Sequence, residues 1–168
     1  VAVMMPNLLA FPVTLLGIMR AGAIQVNVNP LYTARELEHQ LNDAGVETIV
    51  IFNGSTPTLA EVRANTRLKT VITVGVGDAS GANLPSPPVD ARLGGSVSFA
   101  EALDQGSGLA LRPVALTGDD LLFLQYTGGT TGLSKGAALS HRNLVANTEQ
   151  FKAFMPVALK EGEEVLVT

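Results

Sequence analysis

Residues 125–136 are Gln125-Tyr126-Thr127-Gly128-Gly129-Thr130-Thr131-Gly132-Leu133-Ser134-Lys135-Gly136, a segment rich in glycine and threonine with a lysine near its end. An apolar run precedes it, Leu121-Leu122-Phe123-Leu124, and its length is typical of a buried strand. In such a segment glycines let the backbone approach an anion, amides and hydroxyls donate hydrogen bonds, and the lysine adds a positive charge. The pattern therefore predicts a phosphate-binding loop.

The spacing of the lysine distinguishes this segment from a Walker A loop. A Walker A loop has the pattern Gly-x-x-x-x-Gly-Lys-Ser/Thr, whereas Leu133 and Ser134 stand between Gly132 and Lys135. Lysine is usually a solvated surface residue. Its position within a glycine- and threonine-rich loop favours contact with phosphate instead.

The same residues resemble a known family. Residues 126–136, followed by Ser140-His141-Arg142-Asn143, are similar to the phosphate loop of the acyl-adenylate-forming (AMP-binding) enzymes. Within that family the Gly128-Gly129 pair and the preceding Leu124-Gln125-Tyr126 look most like the bacterial long-chain fatty-acid–CoA ligases. One departure is Ser134, because the family usually has proline before the lysine.

The resemblance implies a two-step reaction that uses ATP, Mg²⁺ and coenzyme A. A carboxylate attacks the α-phosphate of ATP to give an acyl-adenylate, and coenzyme A then displaces AMP to give a thioester. Carried over from the family, the residues that hold the β- and γ-phosphates are Thr127, Gly128, Gly129, Thr130, Thr131 and Lys135. Thr127 is also expected to contact the magnesium ion, and Tyr126 is expected to pack rather than to act chemically.

Two other functions stay open at this point. The chain could belong to an adenylation domain for another carboxylate, such as an aryl acid or an amino acid. It could also be a non-catalytic α/β module that binds an anion or a protein partner. The first alternative keeps the phosphate loop and changes the substrate, whereas the second removes the reaction altogether.

Composition limits the choice of partners. The chain has 168 residues, of which 46% are hydrophobic and 15% charged, as expected for one domain with a buried α/β core. The net charge of −4 and the lack of a basic run argue against nucleic acid as a partner. There are no cysteines, and the two histidines, His39 and His141, lack the spacing of metal ligands.

Alternating apolar segments predict strand–helix repeats in the first part of the chain. Asn7 is the predicted N-cap of the first helix, and Gly22 is its predicted left-handed terminus. Capping boxes that start at Thr33 and Thr58 predict two further helices. Strands are predicted at 1–5, 23–29, 47–52 and 70–74. In the second strand Ile24, Val26 and Val28 should share one face, with Gln25, Asn27 and Asn29 on the other.

The second part of the chain is less regular. Residues 77–96 are predicted to form a surface loop with few groups for a core, because glycine, serine and proline dominate there. Ser98 and Glu101 form another capping box, and residues 106–108 should return to loop. After the phosphate loop, a helix is predicted from Ser140 to Phe151, with Pro156 as the residue that stops it, and a last strand at 165–168.

These elements predict an α/β fold, doubly wound, with a mainly parallel sheet and flanking helices. The resemblance identifies residues 1–168 as a partial N-terminal AMP-binding domain, a truncated part of the large N-terminal domain of an acyl-CoA synthetase. Its expected regions are a βα repeat region, a loop-rich segment and a strand–phosphate loop–helix unit, at 1–76, 77–119 and 120–168.

The family's C-terminal domain, its magnesium-binding glutamate and its adenine-binding segment are not expected within this chain. We therefore expect the isolated chain to be inactive and to self-associate through surfaces that the rest of the parent protein would cover. Expected partners of the parent are small molecules: ATP, a fatty acid and coenzyme A. The expected location is the cytoplasm, and peripheral association with the inner face of the membrane stays open.

Overall fold

The computed structural model describes residues 1–127 and 134–154. Within them the strands form one seven-stranded sheet: β1 (Ala2–Met4), β2 (Gln25–Asn27), β3 (Thr48–Phe52), β4 (Thr70–Val74), β5 (Val97–Ser98), β6 (Leu121–Thr127) and β7 (Lys135–Ser140). Their order in space is β5-β4-β3-β1-β2-β6-β7. All neighbours are parallel except β7, which runs antiparallel to β6. The predicted mainly parallel sheet is confirmed.

Five α-helices accompany the sheet in the described part of the chain: α1 (Ala10–Arg20), α2 (Ala34–Asp43), α3 (Thr56–Val62), α4 (Phe99–Ser107) and α5 (His141–Phe154). α4 extends through Ser107, so the loop predicted at 106–108 begins only at Gly108. Among these helices, none combines the length and the apolar character needed to cross a lipid bilayer.

Helices cover both faces of the sheet, which is why its central strands are apolar on both sides. On one face, α2 and α3 pack on alternate strand residues; this core includes Met4, Leu37, Leu41, Ile49, Ile51 and Leu59. On the opposite face, α1 and α4 pack on the intervening residues; this second core includes Val3, Met5, Ala10, Ile18, Val50 and Phe99. The predicted doubly wound arrangement is therefore confirmed.

Several predicted helix boundaries are confirmed. The Glu36 amide donates a hydrogen bond to Thr33 Oγ1 at 3.4 Å, and the Thr33 amide donates one to the Glu36 carboxylate at 2.8 Å. Ser98 and Glu101 form the same reciprocal pair, with distances of 3.2 Å and 2.8 Å. Gly22, just after α1, has a φ of +68°, a left-handed conformation that glycine adopts without strain.

Two predicted helix starts are wrong. α1 begins at Ala10, so Asn7 lies in a turn before the helix and is not its cap. α3 begins at Thr56, directly after a 3₁₀ turn at Asn53–Ser55, so Thr58 lies inside the helix. The reason is Pro57, which lacks the amide hydrogen needed in a helix interior and therefore belongs in the first turn.

The segment 77–96 contributes more to the core than predicted. Leu93 is 2% exposed and belongs to the core beneath α2 and α3. Two neighbouring contacts hold it there. The Asp90 amide donates to Thr56 Oγ1 at 3.0 Å, and Arg92 Nη2 lies 2.7 Å from Asp90 Oδ2. The segment then leads into β5, a two-residue strand that is too short for periodicity to predict.

The largest difference from prediction is β7. The strand predicted at 121–124 extends to Thr127, and β7 pairs with it where loop was expected. The sequence of β7 shows no apolar alternation, because nearly all of the strand is exposed and faces no core. α5 then begins at His141, one residue after the predicted start at Ser140. The predictions at Pro156 and at 165–168 lie outside the described residues.

Candidate phosphate-binding site

Thr127 and Lys135 lie opposite each other at the end of the β6–β7 ladder where the chain passes from one strand to the other. Directly opposed residues of an antiparallel pair point their side chains to the same face, with Cβ atoms about 4.5–5.5 Å apart. Both residues were expected in a loop, and both are strand residues, the last of β6 and the first of β7. The strand pairing therefore brings together two of the residues predicted to hold phosphate.

The remaining predicted phosphate ligands lie outside the described residues: Gly128, Gly129, Thr130 and Thr131. At the base of that segment, Ser134 Oγ donates a hydrogen bond to the Thr127 carbonyl at 2.6 Å. This bond is a second tie between the two strands, beside the backbone ladder. Proline, the residue that the acyl-adenylate-forming family usually has at this position, could not form it. Ser134 thus takes the place of the proline and contributes a hydrogen bond between the two strands.

Tyr126 anchors the base of the loop to the helix layer. Its side chain is 8% exposed, and its hydroxyl donates a hydrogen bond to Asp43 Oδ2, the last residue of α2, at 2.5 Å. Burial, together with this hydrogen bond to a carboxylate, raises the pKa of Tyr126 well above its ordinary value. Gly136 lies flat against the ring, since a Cβ there would stand 3.0 Å from Tyr126 Cε2. This packing agrees with the role expected for Tyr126.

The accessible groups of the site suit an anion. Thr127 and Lys135 are both exposed, so a hydroxyl and an ammonium group are available to a ligand. Within residues 1–127 and 134–154, no carboxylate forms an ion pair with Lys135. A hydroxyl donor beside an ammonium group that no described carboxylate pairs with can bind the oxygens of a phosphate. The Thr127 hydroxyl is also a hard oxygen donor of the kind that Mg²⁺ accepts.

The site lies at the carboxyl ends of the parallel strands, where open α/β sheets bind their ligands. Asn27 ends β2 next to Gln125 of β6, two residues before Thr127. A polar crevice of about 350 Å³ opens at this position and is lined by Asn27, Val28, Asn29, Tyr32, Gln125 and Tyr126.

Three carboxamide side chains connect the two strands at this edge, and we call them the amide relay: Gln25, Asn27 and Gln125. Gln25 Nε2 donates to Asn27 Oδ1 at 2.6 Å, and Asn27 Nδ2 donates to Gln125 Oε1 at 2.7 Å. From the helix layer, Gln40 Nε2 donates to the Asn27 carbonyl at 2.8 Å. The polar side chains of β2 are thus bonded to each other and to β6, and the β2 backbone is bonded to α2.

The amide relay was not predicted, although the sequence contains a signal for it. The predicted alternation put Gln25 and Asn27 on one face of a sheet that helices cover on both faces. A polar side chain on a covered face requires hydrogen-bond partners. Gln25 is completely buried. Ile24, expected to share the buried face of Val26, precedes β2 and is 37% exposed.

A family model described as AMP-binding enzyme matches residues 1–168, the whole chain. The chain belongs to the AMP-binding enzyme family. The resemblance inferred from residues 126–136 is confirmed. The family assignment is consistent with the position of Thr127 and Lys135 at the carboxyl edge of the sheet.

Relatives within the AMP-binding family include bacterial ligases. The long-chain-fatty-acid–CoA ligase of Salmonella typhimurium is 47% identical over 179 aligned positions, covering 100% of this chain and 32% of that protein. The protein of the same name from Bacillus subtilis is 35% identical, covering 98% of this chain and 31% of its own. This chain thus spans about a third of the length of these curated relatives.

Solved structures agree on the fold. A long-chain-fatty-acid-CoA ligase from Archaeoglobus fulgidus superposes with a TM-score of 0.71 at 30% identity, covering 90% of this chain and 27% of that one. An anthranilate CoA ligase superposes with a TM-score of 0.71 at 22% identity, covering 91% of this chain and 27% of its own. The second comparison shows the fold alone. Together they confirm the α/β fold of the N-terminal domains of acyl-CoA synthetases.

Proposed function

We propose that this chain is the phosphate-binding portion of an ATP-dependent long-chain fatty-acid–CoA ligase. The main support is the pairing of Thr127 with Lys135, which sets a hydroxyl and a cation side by side at the ligand-binding edge of the sheet. The names of the bacterial relatives support a long-chain fatty acid as the substrate.

The first step of the reaction places negative charge on the β-phosphate as pyrophosphate leaves ATP. A carboxylate oxygen of the fatty acid attacks the α-phosphorus, and the bond from that phosphorus to the bridging oxygen breaks as pyrophosphate leaves. Negative charge therefore grows on pyrophosphate. Lys135 and Thr127 would stabilise it by a positive charge and a hydroxyl donor that are already in position. The thiol of coenzyme A would then attack the acyl carbonyl, with AMP as the leaving group.

Magnesium would neutralise part of the phosphate charge when bound. The Thr127 hydroxyl, exposed at the end of β6, is the group of this site that fits such an ion. Within the described residues no cluster of three His, Cys, Asp or Glu side chains could hold a metal. Further ligands would therefore come from the nucleotide, from water or from elsewhere in the protein.

A second candidate function is adenylation of an aryl acid. The supporting observation is a rice protein named 4-coumarate–CoA ligase-like 9, which is 38% identical over 88% of this chain and 24% of its own length. The phosphate-binding site would be the same in both cases. The two candidates therefore differ only in the carboxylate.

The test uses the complete protein encoded by the reading frame that contains this chain. Exchange of labelled pyrophosphate into ATP is measured with a long-chain fatty acid, with 4-coumarate and with amino acids. We expect exchange with the fatty acid and little with the others. Exchange driven by 4-coumarate alone would establish the second candidate, and no exchange with any carboxylate would refute both.

We also propose that the isolated 168-residue chain self-associates and does not form acyl-CoA. An apolar groove between α1 and α4 supports this proposal, with Val13 at 41% and Leu103 at 49% exposure along it. Sedimentation velocity at several concentrations should show association, which Leu103→Glu should weaken. A concentration-independent monomer, or turnover by the isolated chain, would contradict the proposal. For the parent protein we propose a cytoplasmic location, since its substrates are intracellular metabolites.

A further inference from the structure

The hydrogen bonds of the amide relay all run in one direction, from donor to acceptor. Gln25 donates to Asn27, and Asn27 donates to Gln125. Gln125 Nε2 in turn lies 3.5 Å from the Tyr126 carbonyl. A carbonyl can only accept, so this long contact favours the orientation in which the NH₂ group of Gln125 faces it, in agreement with the two shorter bonds of the relay. The relay thus ends on the backbone group directly before Thr127.

The relay lies where backbone pairing between β2 and β6 stops. Asn27 and Gln125 are the last pair of that ladder, although they are 98 residues apart in sequence. Two residues further along β6, Thr127 is paired with Lys135 of the edge strand. The side-chain bond at the last pair therefore adds to the backbone ladder in connecting the end of β6 to the centre of the sheet.

Stability alone does not explain the relay. Gln25 is completely buried, and its Oε1 has no hydrogen-bond partner within the described part of the chain. A buried acceptor without a partner lowers stability, and an apolar side chain of the same size would avoid that loss. Gln40 Oε1 is unpartnered in the same way, so the feature specific to Gln25 is the bond from its Nε2 to Asn27 Oδ1, which orients the Asn27 side chain.

We propose that the amide relay positions the Thr127 hydroxyl for the phosphates of ATP. Asn27 and Gln125 are positioning residues, because they act on the nucleotide through Thr127. Gln25 sets the orientation of Asn27 from the interior. This inference rests on the proposed function and adds to it the residues that fix the geometry of the site.

The test compares variants of the complete protein. Gln125→Met keeps the length of the side chain and removes both hydrogen bonds. We expect it to lower kcat/KM for ATP about threefold to tenfold in fatty-acid-dependent pyrophosphate exchange, with KM for the fatty acid unchanged. Gln40→Met is the control, since Gln40 is a more deeply buried amide whose Nε2 donates to the Asn27 backbone carbonyl and not to a side chain of the relay. It should lower the melting temperature but change kcat/KM for ATP less than twofold.

A second measurement distinguishes positioning of the Thr127 hydroxyl from a general loss of structural order. In a Thr127→Ala background, Gln125→Met should change kcat/KM for ATP less than twofold, because the group through which it acts is gone. A full effect in that background would overturn the inference. An equal loss in Gln40→Met would overturn it as well.

The failure of this inference is distinguishable from the failure of the proposed function. ATP binding is measured by calorimetry on the wild type and on Gln125→Met. A wild type that exchanges pyrophosphate, together with a Gln125→Met variant of unchanged affinity and kinetics, refutes the relay alone. A wild type that binds no ATP refutes both. A wild type that binds ATP without exchange still tests the relay, since Gln125→Met should then weaken binding by the same threefold to tenfold.

Discussion

β3 and β7 belong to one sheet but differ in nearly every respect. β3, Thr48–Phe52, has the sequence TIVIF; its central residues are buried, and it pairs with parallel neighbours on both sides. β7, Lys135–Ser140, has the sequence KGAALS; it is exposed almost throughout, and among the described strands it pairs only with β6, in antiparallel fashion. Both strands are regular, and the contacts that make them regular are different.

This difference separates stability from binding within a single sheet. β3 is held by apolar side chains on two covered faces, so its sequence is restricted to large aliphatic residues. β7 is held by its ladder to β6 and by the contact of Gly136 with Tyr126, so its first residue is free to present a charge. We therefore expect substitutions in β3 to act on folding and substitutions at Lys135 to act on nucleotide binding.

The largest expected effect is that of Ile51→Ala in β3. Ile51 is completely buried, and loss of its side chain leaves a cavity, so the chain should be destabilised by about 2–5 kcal/mol. Leu139→Ala in β7 is the matched control. Leu139 is 37% exposed, and its truncation should cost about 1 kcal/mol or less. Urea denaturation of both variants measures the difference. Equal losses would mean that β7 is as much a core strand as β3.

The next effect concerns Lys135→Ala in the complete protein. The loss of one charge-assisted contact to phosphate costs about 1.5–3 kcal/mol, or roughly tenfold to a hundredfold in adenylation. The melting temperature without nucleotide should stay nearly unchanged, because Lys135 is exposed and no described carboxylate pairs with it.

The control for that experiment is Lys152→Ala. Lys152 is an exposed lysine of α5 whose ammonium group pairs with Glu149 at 3.0 Å. The variant removes the same charge from a lysine outside the β6–β7 pair, and pyrophosphate exchange should change less than twofold. If Lys135→Ala leaves exchange intact, Lys135 is an ordinary surface lysine. If it lowers the melting temperature strongly, its role is structural, and the phosphate assignment loses its main support.

The same contrast explains how much of the fold could be predicted from sequence. β3 and its parallel neighbours were predicted because burial on two faces leaves a continuous apolar run. The capping box at Thr33 was predicted because its contacts span three residues. Both signals are local, and local patterns suffice where packing and capping follow from neighbouring residues.

The unpredicted features depend on residues that are distant in sequence. β7 was missed because an exposed strand has no apolar alternation, and its one partner among the described strands is β6. The bond from Tyr126 to Asp43 joins residues 83 apart, and the bond from Asn27 to Gln125 joins residues 98 apart. The family resemblance named Thr127 and Lys135 as site residues. It gave no information on the side chains that hold them.

A smaller effect is expected for Tyr126→Phe, which tests the anchor between β6 and α2. Loss of the hydrogen bond to Asp43 should destabilise the chain by about 1 kcal/mol at neutral pH. The raised pKa of Tyr126 also makes folding stability depend on pH. The unfolded chain loses this proton near pH 10, before the native state does, so wild-type stability should fall as the pH rises above 10. Above pH 10 the melting temperature should fall less steeply with rising pH in Tyr126→Phe than in the wild type. An identical slope would contradict the buried, protonated tyrosine.

The smallest effect is expected for Asp90→Asn, far from the site. Hydrogen bonds from Arg92 lower the pKa of Asp90 from 3.8 to about 2, so its contribution to stability is present above pH 3.8 and is lost as the pH falls towards 2. The expected readout is local. The Leu93 amide, which donates to the Asp90 carbonyl, should lose protection from hydrogen exchange over that range in the wild type, and should show little pH dependence in Asp90→Asn.

Asp119→Asn is the control for this experiment, because the Asp119 carboxylate pairs with Arg142 at a more exposed position and touches no core residue. It should leave the protection of Leu93 unchanged at every pH. If Asp90→Asn also leaves the hydrogen-exchange protection of Leu93 as it is in the wild type at every pH, then the burial of Leu93 alone holds the segment 77–96. That segment would then resemble β3, whose order depends on apolar contacts, rather than the end of β6, whose order depends on polar ones.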